Sequence, residues 1–88
     1  MKIVYMGTPD FAVPALEALA TSGNEIGYVV SQPDAARDRG KKLKPTPVKA
    51  KAMELGLTVL QPEKIKNNEE FLQTLEDYAP DLIVVAAY

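Results

Sequence analysis

Seven of the ten basic residues in this sequence lie between positions 37 and 51: Arg37, Arg39, Lys41, Lys42, Lys44, Lys49 and Lys51. With Asp34 and Asp38 included, residues 34–51 carry a net +5. The whole chain carries -2, so the remainder sums to -7. An acidic protein with one concentrated basic segment suits an anionic polymer, because Lys and Arg displace counterions condensed on phosphates. The same charges would also serve simply to keep a surface loop solvated. No aromatic residue interleaves the cluster, so the pattern favours contact with a sugar-phosphate backbone over stacking on bases.

A second candidate is Gly7-Thr8-Pro9-Asp10-Phe11. Its glycine allows close backbone approach to a ligand, and a following helix would offer free amides. The dinucleotide fingerprint, however, requires three glycines at fixed spacing. Only Gly7 is present, Pro9 has no amide hydrogen, and Asp10 would repel a phosphate. A turn with a helix cap explains this loop equally well. Glu25, Asp34, Asp38 and Asp81 lack the spacing of paired catalytic carboxylates and read as caps and solvated charges. The sequence contains no histidine and no cysteine. Disulfides, a thiolate nucleophile, imidazole acid-base catalysis and Cys or His metal ligation are thereby excluded.

The elements that would position these residues alternate. Ile3–Met6 reads as a buried strand ending at Gly7. Phe11–Ser22 reads as a helix with an apolar stripe at Ala12, Ala15, Leu16 and Leu19, Asp10 as N-cap, and Gly23 as its stop. Ile26–Val30 is a second strand. Residues 34–46 are polar and aperiodic, a loop. Thr46-Pro47 opens a second helix with Val48, Ala52 and Leu55 on one face and Gly56 at its end. Leu57–Leu60 is a third strand. Asn67 and Glu70 form a capping-box pattern before a helix carrying Phe71, Leu72 and Leu75. Glu69 and Glu70 fall in its first turn, where the helix dipole favours negative charge. Met6 and Met53 are assigned to the core. After Pro80, Leu82–Ala87 is a fourth strand.

Helical crossovers imply parallel strands, and strands apolar on both faces imply a sheet covered on both sides. The fold class is therefore α/β, an open doubly wound parallel sheet of about four strands and three helices. Ligands of such sheets bind beyond the carboxyl ends of the strands. Those ends carry Gly7–Phe11, Ser31–Asp34, Gln61-Pro62 and Tyr88. The longest apolar run, Leu82–Tyr88, is far below the ~18 residues of a membrane span, and the N-terminus has no signal-peptide pattern. A soluble cytoplasmic protein is expected.

Four motifs in order resemble the methionyl-tRNA formyltransferase family. They are Gly7-Thr8-Pro9-Asp10-Phe11-Ala12, Gln32-Pro33-Asp34, Arg39-Gly40-Lys41-Lys42-Leu43 leading to Pro45-Thr46-Pro47-Val48-Lys49, and the strand Asp81–Tyr88. The resemblance spans the chain and implies a Rossmann-like formyltransferase fold. It also implies transfer of formyl from 10-formyltetrahydrofolate to the amino group of methionyl initiator tRNA in translation initiation. It assigns Arg37, Arg39, Lys41, Lys42 and Lys44 to tRNA binding, and Gly7, Thr8, Pro9, Asp10 and Phe11 to the active-site lining. Where the family usually has Arg-Pro-Ala-Gly after Gln-Pro-Asp, this chain has Ala35-Ala36-Arg37-Asp38, which displaces the basic group.

The family's Asn-x-His pair, its later Asp and most of its formyl-folate pocket follow the strand that ends here at Tyr88. The resemblance therefore implies that residues 1–88 are the N-terminal part of the catalytic domain. The rest of that domain and the C-terminal domain would be absent, with no catalytic residue, no metal site and no bound cofactor in this chain. Such a piece is expected to be inactive alone and to self-associate through its exposed last strand. Two alternatives remain at this stage: a related formyltransferase acting on an amino sugar nucleotide, and a non-catalytic RNA-binding module.

Overall fold

The computed structural model describes residues 1–36 and 43–88. Strand β1 (Lys2–Gly7) leads through a 3-10 turn (Asp10–Ala12) into helix α1 (Val13–Thr21), then strand β2 (Glu25–Val30). Two short strands follow, β3 (Ala35–Ala36) and β4 (Leu43–Lys44), then helix α2 (Pro47–Glu54) and strand β5 (Val59–Leu60). Helix α3 (Glu69–Tyr78) and strand β6 (Leu82–Ala87) complete the chain. The main sheet has the order β5-β2-β1-β6, and its neighbours are parallel. The expected open parallel sheet is present.

Side chains alternate across β1. Ile3 and Tyr5 pack with Ala12, Leu16, Val29, Val48 and Ala52 on one face. Val4 packs with Val30 and Phe71 on the other. The sheet is thus covered by α1 and α2 on one side and α3 on the other, which is why β1 is apolar at every position from Ile3 to Met6. Tyr5 is fully buried, and its hydroxyl donates to the Ala12 carbonyl at 2.6 Å. Burial pushes this phenol up from its ordinary pKa, so it stays a donor.

Several local expectations require correction. Asp10 does not cap α1. The Ala12 amide bonds the Pro9 carbonyl, a 3-10 turn forms, and the helix begins three residues after Asp10 without a side-chain cap. Ala15 then faces outward, and Ala12 and Leu16 are the buried pair. The polar loop contains an antiparallel ribbon, with Ala35 paired to Lys44 and Ala36 to Leu43. Two-residue strands are too short to show a period of two. Strand β5 starts at Val59 because the Leu57 amide is still bonded to the Ala52 carbonyl of α2.

Asn68, one residue later than expected, caps α3 by accepting from the Phe71 amide at 2.9 Å. Phe71, Leu75 and Tyr78 consequently face the sheet, while Leu72 is exposed. Leu55 and Met53 are also exposed. The expected stops hold: Gly23 and Gly56 adopt φ of 81° and 74°.

At the amino edge of the sheet, the supposedly solvated acids are engaged. The Lys2 amide donates to Asp81 at 2.7 Å, and the Tyr78 hydroxyl donates to Glu25. Burial, reinforced by that bond to Glu25, pushes the Tyr78 phenol up to about 12. The Lys2 ammonium donates to the Tyr78 carbonyl and lies 4.5 Å from that ring's centre. This edge is a structural clasp, at the opposite end of the strands from the ligand side.

Candidate functional site

At the carboxyl edge, three strand ends and the start of α2 converge on Thr8. Its amide donates to Ala87 at 3.0 Å and its carbonyl accepts from Val48. Its hydroxyl accepts from the Gln32 amide at 3.2 Å and donates to the Tyr88 carbonyl at 3.3 Å. One residue therefore ties β1 to β2, to β6 and to the start of α2. A β-carbon on neighbouring Gly7 would lie 3.0 Å from the Tyr5 ring and 3.2 Å from Ala12. Glycine here allows the turn and α2 to approach the sheet. Pro9 is half-buried, whereas Asp10 and Phe11 are exposed, Phe11 at 72%. The structure thus places Gly7 and Thr8 inside the edge and Asp10 and Phe11 on its rim.

The loop after β2 is fixed by side chains from the strand ends, through contacts that the sequence reading does not anticipate. The Gln32 side chain donates to the Tyr88 carbonyl at 3.3 Å. Gln61, after β5, donates to the Gln32 carbonyl at 3.0 Å and to Asp34 at 2.6 Å. The other Asp34 oxygen pairs with Lys49 at 2.8 Å. The available signal is the recurrence of Gln-Pro just after two strands, at 32–33 and 61–62. Buried Ser31 and Thr46 hydroxyls bond each other, and Thr46 also caps α2 by accepting from the Lys49 amide.

Lys49 and Lys51 lie on α2, as expected, and both are paired within the chain. Lys51 meets Glu54 at 3.0 Å, a bond that pushes its ammonium pKa up. The other cations of the basic segment are at positions 37–44 in the sequence. Arg37, Arg39, Lys41 and Lys42 lie outside the described residues, and Lys44 is described only through its backbone in β4.

A cleft of about 250 Å3 opens between the end of β5 and α3, lined by Leu60, Pro62, Phe71, Gln61, Asn68 and Thr74 among others. Three of its polar side chains are bonded within the chain: Asn68 caps α3 and donates to Lys64, Thr74 donates to the Glu70 carbonyl, and Gln61 holds Asp34, while the Glu70 carboxylate also lines it. No acidic cluster of metal-binding type occurs among the described residues. Tyr88 is pushed up in pKa by burial and stays neutral. The edge holds no nucleophile-base pair among the described residues.

The fold is an open α/β domain with a parallel sheet and a polar network at the carboxyl edge, the edge at which sheets of this kind take their ligands. The chain belongs to the formyl transferase family, whose model matches residues 1–88. It is 51% identical over its whole length to a methionyl-tRNA formyltransferase of Sulfurihydrogenibium sp.. It is 54% identical to one of Caldanaerobacter subterraneus subsp. tengcongensis and 53% identical to one of Neisseria meningitidis serogroup C. The chain spans 28% of the length of the first two relatives and 29% of the third. Among the described residues, no helix is long and apolar enough to cross a membrane.

The Thr46 clasp gives a direct test of this edge. Thr46→Ala removes the α2 cap and leaves the buried Ser31 hydroxyl unpaired. Urea denaturation of the chain should show a loss of about 1–2 kcal/mol. Thr46→Ser should retain most of that stability.

Proposed function

We propose that the chain is the N-terminal part of the catalytic domain of a methionyl-tRNA formyltransferase. The full enzyme would move a formyl group from 10-formyltetrahydrofolate to the amino group of methionyl initiator tRNA, in the cytoplasm. The observation that carries this reading is identity of 51–54% over all 88 residues to proteins of that name. A second support is the charge distribution. Arg37, Arg39, Lys41, Lys42 and Lys44 concentrate positive charge in a protein of net charge -2. That is the electrostatic footprint of a phosphate-backbone partner. A sugar nucleotide would not need so many cations.

In this reading, Arg37, Arg39, Lys41, Lys42 and Lys44 contact the tRNA backbone, and Gly7–Phe11 line the cleft near its aminoacyl end. Thr8 fixes the cleft floor by holding Gln32 and Tyr88, and Phe11 offers an exposed ring on its rim. In this reading the folate donor binds outside residues 1–88. The cleft beside α3 is below the ~300–1,000 Å3 of sites for drug-sized ligands, and its Gln61, Asn68 and Thr74 side chains are bonded internally. The donor, and the groups that polarise its formyl, belong to the remainder of the enzyme. The 88-residue chain alone is expected to transfer no formyl.

β6 is an edge strand whose Leu82, Ile83 and Val85 are exposed, and no charge interrupts residues 82–88. Such an edge pairs readily with another chain. The isolated 88-residue chain is therefore proposed to self-associate through β6. Sedimentation velocity at micromolar concentration should show dimers or larger species, and a clean monomer would contradict this.

The basic segment is tested in the full-length enzyme. Replacing Lys41 and Lys42 together by alanine should raise KM for methionyl-tRNA. It should also flatten the log-log dependence of binding on salt by about 2. Unchanged KM and slope would refute the tRNA assignment, and robust formylation of an amino sugar nucleotide would replace it.

A further inference from the structure

We propose that Asp34 is a positioning residue that sets where the basic segment leaves the sheet. The proposal rests on the tRNA reading above and deepens it. Asp34 is the residue immediately before β3, the first foot of the ribbon. Each of its carboxylate oxygens is held by a different part of the scaffold. Oδ2 accepts from Lys49 Nζ at 2.8 Å, and Lys49 lies in the first turn of α2. Oδ1 accepts from Gln61 Nε2 at 2.6 Å, and Gln61 follows β5. The same Gln61 amide reaches the Gln32 carbonyl, while Gln32 binds Thr8 and Tyr88. The carboxylate is therefore wired to Thr8 through the Gln61 side chain and the Gln32 main chain.

The second foot, β4, runs through Pro45 into Thr46, whose hydroxyl is locked to Ser31 and to the Lys49 amide. Both feet of the ribbon converge on Lys49. Its ammonium holds one foot and its backbone amide the other. Between the feet lie residues 37–42, with Arg37, Arg39, Lys41 and Lys42. An anionic substrate must meet those cations and the cleft together. Fixing both feet of the ribbon in advance lowers the cost of presenting that segment to a substrate.

The pair is partly buried, with side-chain exposures of 22% for Lys49 and 29% for Asp34. A purely stabilising ion pair would leave substrate parameters alone, so the readouts are chosen to separate the two roles. In the full-length enzyme, Asp34→Asn should raise KM for methionyl-tRNA about fivefold with kcat little changed. Asp34→Lys and Lys49→Asp should each do worse, and the double charge swap should recover most of the loss. Hydrogen exchange should quicken at the backbone amides of residues 35, 36, 43 and 44 in Asp34→Asn.

Unaltered ribbon exchange, or a KM that stays at the wild-type value while the Lys41/Lys42 variant is impaired, would overturn the proposal. So would a double swap no better than the single variants. If ribbon exchange quickens but the Lys41/Lys42 variant also leaves KM unmoved, the tRNA reading has failed while Asp34 still governs the ribbon.

Discussion

The carboxyl edge of this domain depends on Thr8. A short hydroxyl side chain there both accepts and donates, and the same residue's amide and carbonyl are engaged as well. Parallel strands have no hairpins to bind their ends together, so their carboxyl termini splay unless loops are tied to one another. Thr8 performs that tying for β1, β2, β6 and α2. Gly7 makes it possible by letting α2 and the turn pack closely against Tyr5. The Tyr5 hydroxyl bond to Ala12 then sets the height of the turn above the sheet.

From this hub, order spreads outward through amides. Gln32 carries it to Tyr88, and Gln61 carries it to Asp34. Asp34 passes it through Lys49 to α2. Neutral amides suit such relays because one side chain can donate twice or link distant carbonyls without the desolvation cost of a charge. Charge enters only at the last step, where the basic segment begins. The acidic remainder of the chain then leaves the segment's cations as the one concentrated source of positive potential in the sequence.

Much of the fold was legible because it rests on local rules. Apolar runs at β1, β2 and β6, the Thr46-Pro47 helix start and the glycine stops at Gly23 and Gly56 all reflect physics within a few residues. Errors arose where a neighbour intervened. The Pro9 carbonyl drew Ala12 into a 3-10 turn and displaced the expected Asp10 cap. Asn67 took a positive φ of 59°, which passed the cap to Asn68. The site was legible in its loops and unreadable in its wiring. Gln61 meets Asp34 across 27 positions, and Thr8 meets Tyr88 across 80. No spacing rule reaches that far. The basic segment was visible as composition alone, and its central residues lie outside the described part of the structure.

Exchange of the Gln32 backbone amide, followed in the native chain and in Thr8→Val, measures the hub directly. Valine keeps the shape and loses the hydroxyl. Exchange at Gln32 should accelerate about tenfold, the equivalent of roughly 1.4 kcal/mol, while Thr8→Ser stays near the native rate. Equal exchange in native and Thr8→Val chains would show that the strand ends are held by something other than Thr8.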